Sequence, residues 1–408
     1  MKKFTSFITE QKNTHMEHLE DAVLNGGVDG ARQAINMLRS MRDMLAGNSK
    51  AAVNSTVKWD GAPAIFAGID PTDGKFFVAK KGIFNKNPKV YKTPADIDAD
   101  TKGDLATKLK EALKYLPALG IKGVVQGDFL YSKSDLRTET IDGEKCVTFQ
   151  PNTIVYAVPL SSPLAREIRA AKLGIVWHTT YEGKSFETMK ASFGKDIATK
   201  LKKTKTVFST DANFRDVSGK ATFTAKETAE ITSVLSRAGK VFNTIDSSLL
   251  NGISDDDFIL LRTKTYMNTL VRAGEKFPKG SAIVTGLYNY IDGYFDKEIA
   301  SKKSEKGKET WRAKKVEAMK FFANNSKADI AKVFDLMNLI IEAKLLVIKK
   351  MDTASSMGTF LRTNNGMRVT APEGYVAIDK IGSALKLVDR LEFSKANFSP
   401  EIIKGWQR

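Results

Sequence analysis

Three features of the sequence predict an α+β protein with a large all-helical insert. Short β-rich runs crowd residues 52–182: VNSTVKW, AIFAGI, KFFVAKK, GVVQGDFLY, KCVTFQ, TIVYAV and LGIVWHTTY. A helical apolar period dominates from about 185 to 352. β texture then returns in GYVAID (374–379) and SALKLVD (383–389). Two β-rich parts flanking a helical one read as one domain interrupted by another.

Taken in order, residues 15–24 and 29–46 carry apolar residues at helical spacing (Ala34, Leu38, Met41, Leu45), with Gly26 and Gly27 as a break. His15 and His18 sit three apart on the first of these helices and read as surface, having no third ligand nearby. DPTDG (70–74) supplies a hairpin turn between AIFAGI and KFFVAKK. Leu105, Leu109 and Leu113 recur at i, i+4, i+8 and predict a helix over about 104–116. A short helix is expected at 162–172. Ser254–Asp257 reads as a capping box before FILLRTKTYMNTLVRA, and Ser326–Asp329 as another before the longest apolar helix. The expected division is a helical segment at 1–50, a first catalytic part at 51–184, a basic helical insert at 185–365 and a second catalytic part at 366–408.

Composition narrows the class. At roughly 150 residues per domain, 408 residues suggest two or three domains. An apolar share of 42% is ample for buried cores. No run of about 18 apolar residues offers a membrane span. MKKFTSFITEQ lacks the apolar stretch of a secretory leader. The lone Cys146 excludes an internal disulfide framework and reads as a core or half-buried thiol. A cytoplasmic protein without a membrane partner is expected, in the host cytoplasm if a phage encodes it. The formal charge is +17. Residues 184–350 hold 31 basic and 20 acidic residues, so most of the excess falls there. A polyanion is the expected partner, nucleic acid first, held by the basic helical insert. Tyr288, Tyr290 and Trp311 within it read as core rather than base-stacking platforms.

Familiar catalytic signatures are missing: no phosphate loop, no G-x-G-x-x-G after a strand, no G-x-S-x-G elbow, no H-E-x-x-H. With three histidines in the chain, a nucleophilic triad would have to use His178. What stands out is Lys58, which ends a strand and precedes Trp59, Asp60 and Gly61. A lysine there can project into a cleft. Nearby cations or desolvation can free its amine to act as a nucleophile.

KWDG (58–61) resembles motif I of the covalent nucleotidyltransferases: ATP-dependent DNA ligases, RNA ligases and mRNA capping enzymes. Further segments follow in that superfamily's order. VAKKG (78–82) resembles its small motif with a basic residue, Lys81, before Gly. VVQGDFLY resembles motif III, with Asp128 as the acid, and FQPNTIVYAV resembles motif IIIa. PEGYVAID matches motif IV through Glu373, and SALKLVDR resembles motif V through Lys386. The sequence departs from the pattern at Pro63, where classical ligases and capping enzymes carry Arg, and at Asp128, one methylene shorter than the usual Glu. Motif V has one lysine where two are usual, and Arg390 or Lys395 are the substitutes at hand. Some RNA ligases also lack that Arg. The C-terminal pattern EGYVAID…LKLVDRLEFS resembles uncharacterised proteins of tailed bacteriophages.

The resemblance implies a ligase-type adenylation domain of antiparallel sheets and helices. It implies an ATP-dependent polynucleotide ligase, for RNA rather than DNA, working on RNA or nicked duplex through a lysyl-AMP on Lys58. Lys386 would be the second catalytic group, steadying the α-phosphate. Asp60, Gly61, Lys81, Asp128, Phe149, Tyr156, Glu373 and Arg390 would line the nucleotide, with Phe149 or Tyr156 stacking on the base. Glu373 and Asp128 would hold Mg²⁺. Two alternatives stand beside this: transfer to another acceptor, such as an RNA 5′ end or a protein, and a non-catalytic nucleic-acid-binding or virion protein that keeps the fold.

Overall fold

Local sequence rules set the element boundaries, and the chain then closes on itself from both directions. The computed structural model describes residues 16–47, 53–214, 221–354, 357–379 and 383–407. His15 therefore lies outside the described residues. The N-terminal helices are α1 (Ala22–Asn25) and α2 (Gly27–Leu45), separated at Gly26. Next come β1 (Val53–Lys58), β2 (Ala64–Ile69), β3 (Phe76–Ala79) and β4 (Val90–Tyr91). Two helices follow, α3 (Pro94–Asp100) and α4 (Gly103–Tyr115). After them run β5 (Val124–Ser132), β6 (Arg137–Ile141), β7 (Glu144–Phe149), β8 (Ile154–Pro159), α5 (Pro163–Ala170) and β9 (Leu173–Glu182).

The stretch expected as helical from 185 onward begins instead with two strands, β10 (Lys190–Phe193) and β11 (Val207–Asp211). Both pair with β9, β10 antiparallel along its second half and β11 parallel along its first. Six helices follow: α6 (Ala225–Phe242), α7 (Ser247–Asp255), α8 (Asp257–Arg272), α9 (Ser281–Ser301), α10 (Glu305–Asn324) and α11 (Lys327–Met351). The chain ends with β12 (Gly358–Thr363), β13 (Gly366–Val369), β14 (Gly374–Asp379), β15 (Ala384–Leu387) and α12 (Arg390–Phe398).

Side-chain caps start the helices where the sequence offers an oxygen. Thr224 and Glu227 form a capping box on α6, and Ser326 accepts from the Asp329 amide at the start of α11. At α8 the cap is Asp256, which accepts from the Phe258 and Ile259 amides. Ser254, expected in that role, belongs to the last turn of α7, where its hydroxyl donates to the Asn251 carbonyl.

The strands form three sheets. A three-stranded sheet has the order β1-β14-β15. A seven-stranded sheet runs β10-β9-β5-β2-β3-β4, with β11 also on β9. A five-stranded sheet runs β13-β12-β8-β7-β6, so β12, expected in the helical block, belongs with the β-rich part as β13 does. Helix α4 covers one face of the seven-stranded sheet, burying Ala106, Leu109 and Ala112 against Ile65, Val125, Phe129 and Trp177.

The helical block is not a separate body. One apolar core joins Leu38 of α2, Leu235 of α6, Leu336 of α11 and Tyr375, Leu385 and Leu387 of the three-stranded sheet. The N-terminal helices, the insert and that sheet thus share their buried surface. Tyr290 and Trp311 pack against this core as expected, whereas Tyr288 is 40% exposed and meets Phe322 edge-on. Cys146 is buried. Among the described residues no helix is long and apolar enough to cross a membrane.

Candidate active site

The three-stranded sheet brings together residues far apart in sequence. β1 pairs antiparallel with β14 so that Lys58 lies opposite Gly374, placing Glu373 beside the lysine. β14 pairs with β15 so that Val376 faces Lys386. The seven-stranded sheet presents Asp128 opposite Ala64. Backbone bonds from Ala62 to the Phe129 carbonyl and from Phe129 to the Pro63 carbonyl fasten the turn after Lys58 to β5. Gly61 permits this approach, since a Cβ there would sit 2.4 Å from Cβ of Asp128.

The charges within this cleft perturb one another. The Lys58 ammonium donates directly to Oε1 of Glu373. Glu373 is 8% exposed. Burial pushes its carboxyl up to about 7; Lys58 opposes the rise, and the negative charges of Asp60 and Asp128 add to it. Burial also pushes the Lys386 ammonium down, with Lys58 and Lys81 adding to the fall and Glu373 and Glu17 opposing it. Glu373 thus feels Lys58, Asp60 and Asp128, and Lys386 feels Lys58, Lys81 and Glu373.

Four residues expected to contact the nucleotide are engaged with other partners. Asp60 turns its carboxylate away from a ligand role. Oδ1 accepts from the Asn152 side chain at 2.7 Å, and Oδ2 from the Thr153 and Ile154 amides at 2.6 and 2.7 Å. It thereby pins the loop before β8 to the loop bearing Trp59. Asp60→Asn places an amide against amide donors and should cost about 2 kcal/mol of stability. A urea midpoint equal to that of the wild type would contradict this role.

Phe149 and Tyr156 offer no open face to a base. Phe149 is fully buried between Tyr131 and Tyr156, at ring distances of 5.0 and 5.3 Å. The other side of Tyr156 is covered by Trp59 at 5.0 Å, and its hydroxyl accepts from the Asp60 amide. Arg390 is engaged by the N-terminal segment, donating to Asp21 at 2.9 Å and to Asn268 at 2.6 Å. Lys395 is exposed and lies along Gly274.

Two neighbours were missed by the sequence reading. The Phe393 ring lies 5.9 Å from the Lys58 ammonium, close enough for a cation–π contact. His178 sets Nε2 3.8 Å from Oδ2 of Asp128. The position of Phe393 in the helix after β15 carries no sequence signal. That of His178 is readable only from strand parity, because Val176 pairs with Asp128.

The carboxylates suit a magnesium ion bound together with substrate phosphates, since that ion needs only one or two protein carboxylates. Glu373 and Asp128 supply hard oxygen donors near the lysines. Among the described residues no three His, Cys, Asp or Glu side chains gather into a complete metal cage. Any ion here would therefore depend on the substrate for most of its ligands.

No curated protein and no solved structure matches the chain. Residues 13–402 match one family, nearly the whole sequence, and on that match the chain belongs to the "Family of unknown function (DUF6267)".

Proposed function

We propose that this protein is a covalent nucleotidyltransferase, an ATP-dependent polynucleotide ligase acting on RNA rather than DNA through a lysyl-AMP on Lys58. The observation that carries the reading is the Lys58–Glu373 hydrogen bond in a cleft shared with Lys386 and Asp128. An ammonium is not a nucleophile, so Lys58 must first lose a proton. Glu373, with a proton affinity near neutrality, is in place to accept it. The freed Nζ then attacks the α-phosphorus of ATP. An N–P bond forms, the bond to the bridging oxygen breaks, and pyrophosphate leaves, taking up the second proton that Nζ sheds as the phosphoramidate forms. Lys386 and Lys81 oppose the negative charge that builds on the α-phosphate. Magnesium held by Asp128, and by Glu373 once it has passed its proton on, would neutralise the triphosphate and ease departure of pyrophosphate.

A second reading has its own support. The sealed rings of Phe149 and Tyr156 leave the base without the expected aromatic shelf, which favours a non-catalytic protein that keeps the fold. Label transfer separates the two. The protein is incubated with α-labelled ATP or GTP and Mg²⁺ and resolved on a denaturing gel. An acid-labile label on the wild type, absent from Lys58→Ala, is the expected result. No label with either nucleotide, on protein freed of bound nucleotide, would overturn the enzymatic reading. Nicked duplex and single-stranded RNA offered to the labelled protein would then test the acceptor.

A further inference from the structure

Charge is distributed differently in the fold than along the sequence. In the densest basic stretch, at 297–320, nine basic residues meet four acidic ones, and part of that charge is paired. Lys302 pairs with Glu298, Arg312 with Glu305, Lys315 with Asp292 and Asp296, and Lys320 with Glu317. A different situation holds at the β11 edge of the seven-stranded sheet. Three segments meet there, 112–123, 168–175 and 197–210. Together they contain eight basic residues, and the four acids that adjoin them, Glu111, Glu167, Asp196 and Asp211, leave a net excess of four. Their convergence is fixed by the backbone: the Lys202 amide donates to the Leu119 carbonyl, the Lys172 amide to the Thr206 carbonyl, and β11 starts beside β9 at Val207 and Leu173.

Lys200, Lys202, Lys203 and Lys205 are all exposed, as are Lys122 and Lys172. None of the six forms an ion pair among the described residues. Six lysines without ion-pair partners on one edge raise the free energy of the folded chain even with Asp211 beside them, since its carboxylate accepts from the Ile197 and Ala198 amides, and a polyanion relieves it. Lysine is a mobile point charge, suited to phosphate rather than to planar, bidentate recognition.

We propose that this edge grips the sugar–phosphate backbone of the nucleic-acid acceptor without reading its sequence, and that the helical block does not. Naming the partner as the acceptor rests on the reading of Lys58 above. Position supports the link. Lys172 is four residues before Val176, which pairs with Asp128 in the cleft, so about 13 Å of strand separates them. Nucleic acid lying on this edge would reach the cleft within a few nucleotides.

The test uses the full chain and a fluorescent 20-nucleotide single-stranded RNA, titrated by anisotropy between 50 and 200 mM salt. Lys200, Lys202, Lys203 and Lys205 are changed together to serine. A control changes Lys303, Lys306, Lys314 and Lys320 together to serine. The first variant should lose at least tenfold in affinity at low salt. Its plot of log affinity against log salt should flatten by about 3, from roughly 0.7 per lost phosphate contact. The control should bind as the wild type does. Equal binding by the first variant, or an equal loss in the control, would overturn the proposal. So would wild-type binding to phosphatidylserine vesicles but not to RNA. Label transfer to the wild type is run in parallel. If it takes no label but the edge variant still loses RNA, the surface stands and the reading of Lys58 falls. If it takes label but both variants bind RNA alike, the reverse holds.

Discussion

Replacing Glu373 with glutamine should cut lysyl-nucleotide formation on Lys58 at least a hundredfold, the usual effect of losing a positioned general base. The same change should make the fold more stable above pH 7. The sign follows from the raised proton affinity of the buried carboxyl, about 7 in the fold against 4.5 when unfolded. Below pH 4.5 the group is protonated in both states and costs nothing. Between 4.5 and 7 the unfolded chain releases its proton while the folded one holds it, so stability falls as pH rises. Above 7 the wild type carries the full penalty, on the order of 3 kcal/mol for a shift of this size. Glutamine carries none. Urea midpoints of the two proteins should coincide near pH 4 and separate by pH 8, with the variant higher. The label-forming rate of the wild type should rise through pH 7 and level off, because Glu373 accepts a proton only when ionised. A flat rate profile would remove Glu373 from the proton transfer.

The second large effect is expected at a buried ion pair behind the site. Lys344 on α11 donates to Glu20 at 2.7 Å, with side chains only 1% and 0% exposed. Arg390 adds a longer contact to Glu20 at 3.5 Å and a shorter one to Asp21 at 2.9 Å. Burial opposes the charge on Glu20, but Lys344, then His18 and Arg390, overcome it and hold the carboxyl well below its ordinary value. Lys344→Met strands that charge and should cost about 3–5 kcal/mol. Adding Glu20→Leu should restore most of the loss, because an apolar pair needs no partner. The damage should also reach the cleft. The Lys386 amide donates to the Glu17 carbonyl, three residues before Glu20, so the network fixes the edge of the strand carrying Lys386. Label transfer should therefore fall in the single variant and return in the double. A urea midpoint unchanged by Lys344→Met would show that Glu20 does not depend on this pair.

Much of the fold was legible because the relevant signals are local. β1, β2, β3, β5, β7, β8 and β9 alternate or run apolar between turn residues, and α11 announces itself by Ser326 and its long apolar period. β10 and β11 were missed because they are short and mostly half-exposed, and exist as strands only by pairing with β9. β12 was assigned to the helical block, and the boundary was set between β12 and β13, although Asn365–Gly366 is a hairpin signal. Lys58, Glu373, Lys386 and Asp128 could be grouped because each lies in a segment that resembles a nucleotidyltransferase motif. Alternation could not say which side of Phe149 and Tyr156 would be sealed. Nor could it say that the Asp60 oxygens would be consumed by the 152–154 amides. Those outcomes depend on which loops meet in space.

The pairing of β1 with β14 has a consequence for biosynthesis. Lys58 and Glu373 are 315 positions apart. At about 5–20 residues per second, on the order of half a minute passes on the ribosome between them. For that interval β1 lacks the neighbour that positions its lysine, while α2 can already pack with α6. The cleft closes after the helices have been made, by one of the longest-range contacts in the chain. A chain interrupted before β14 would carry Lys58 without Glu373 or Lys386, so the proposed chemistry would have to wait until the sheet that holds these residues is complete.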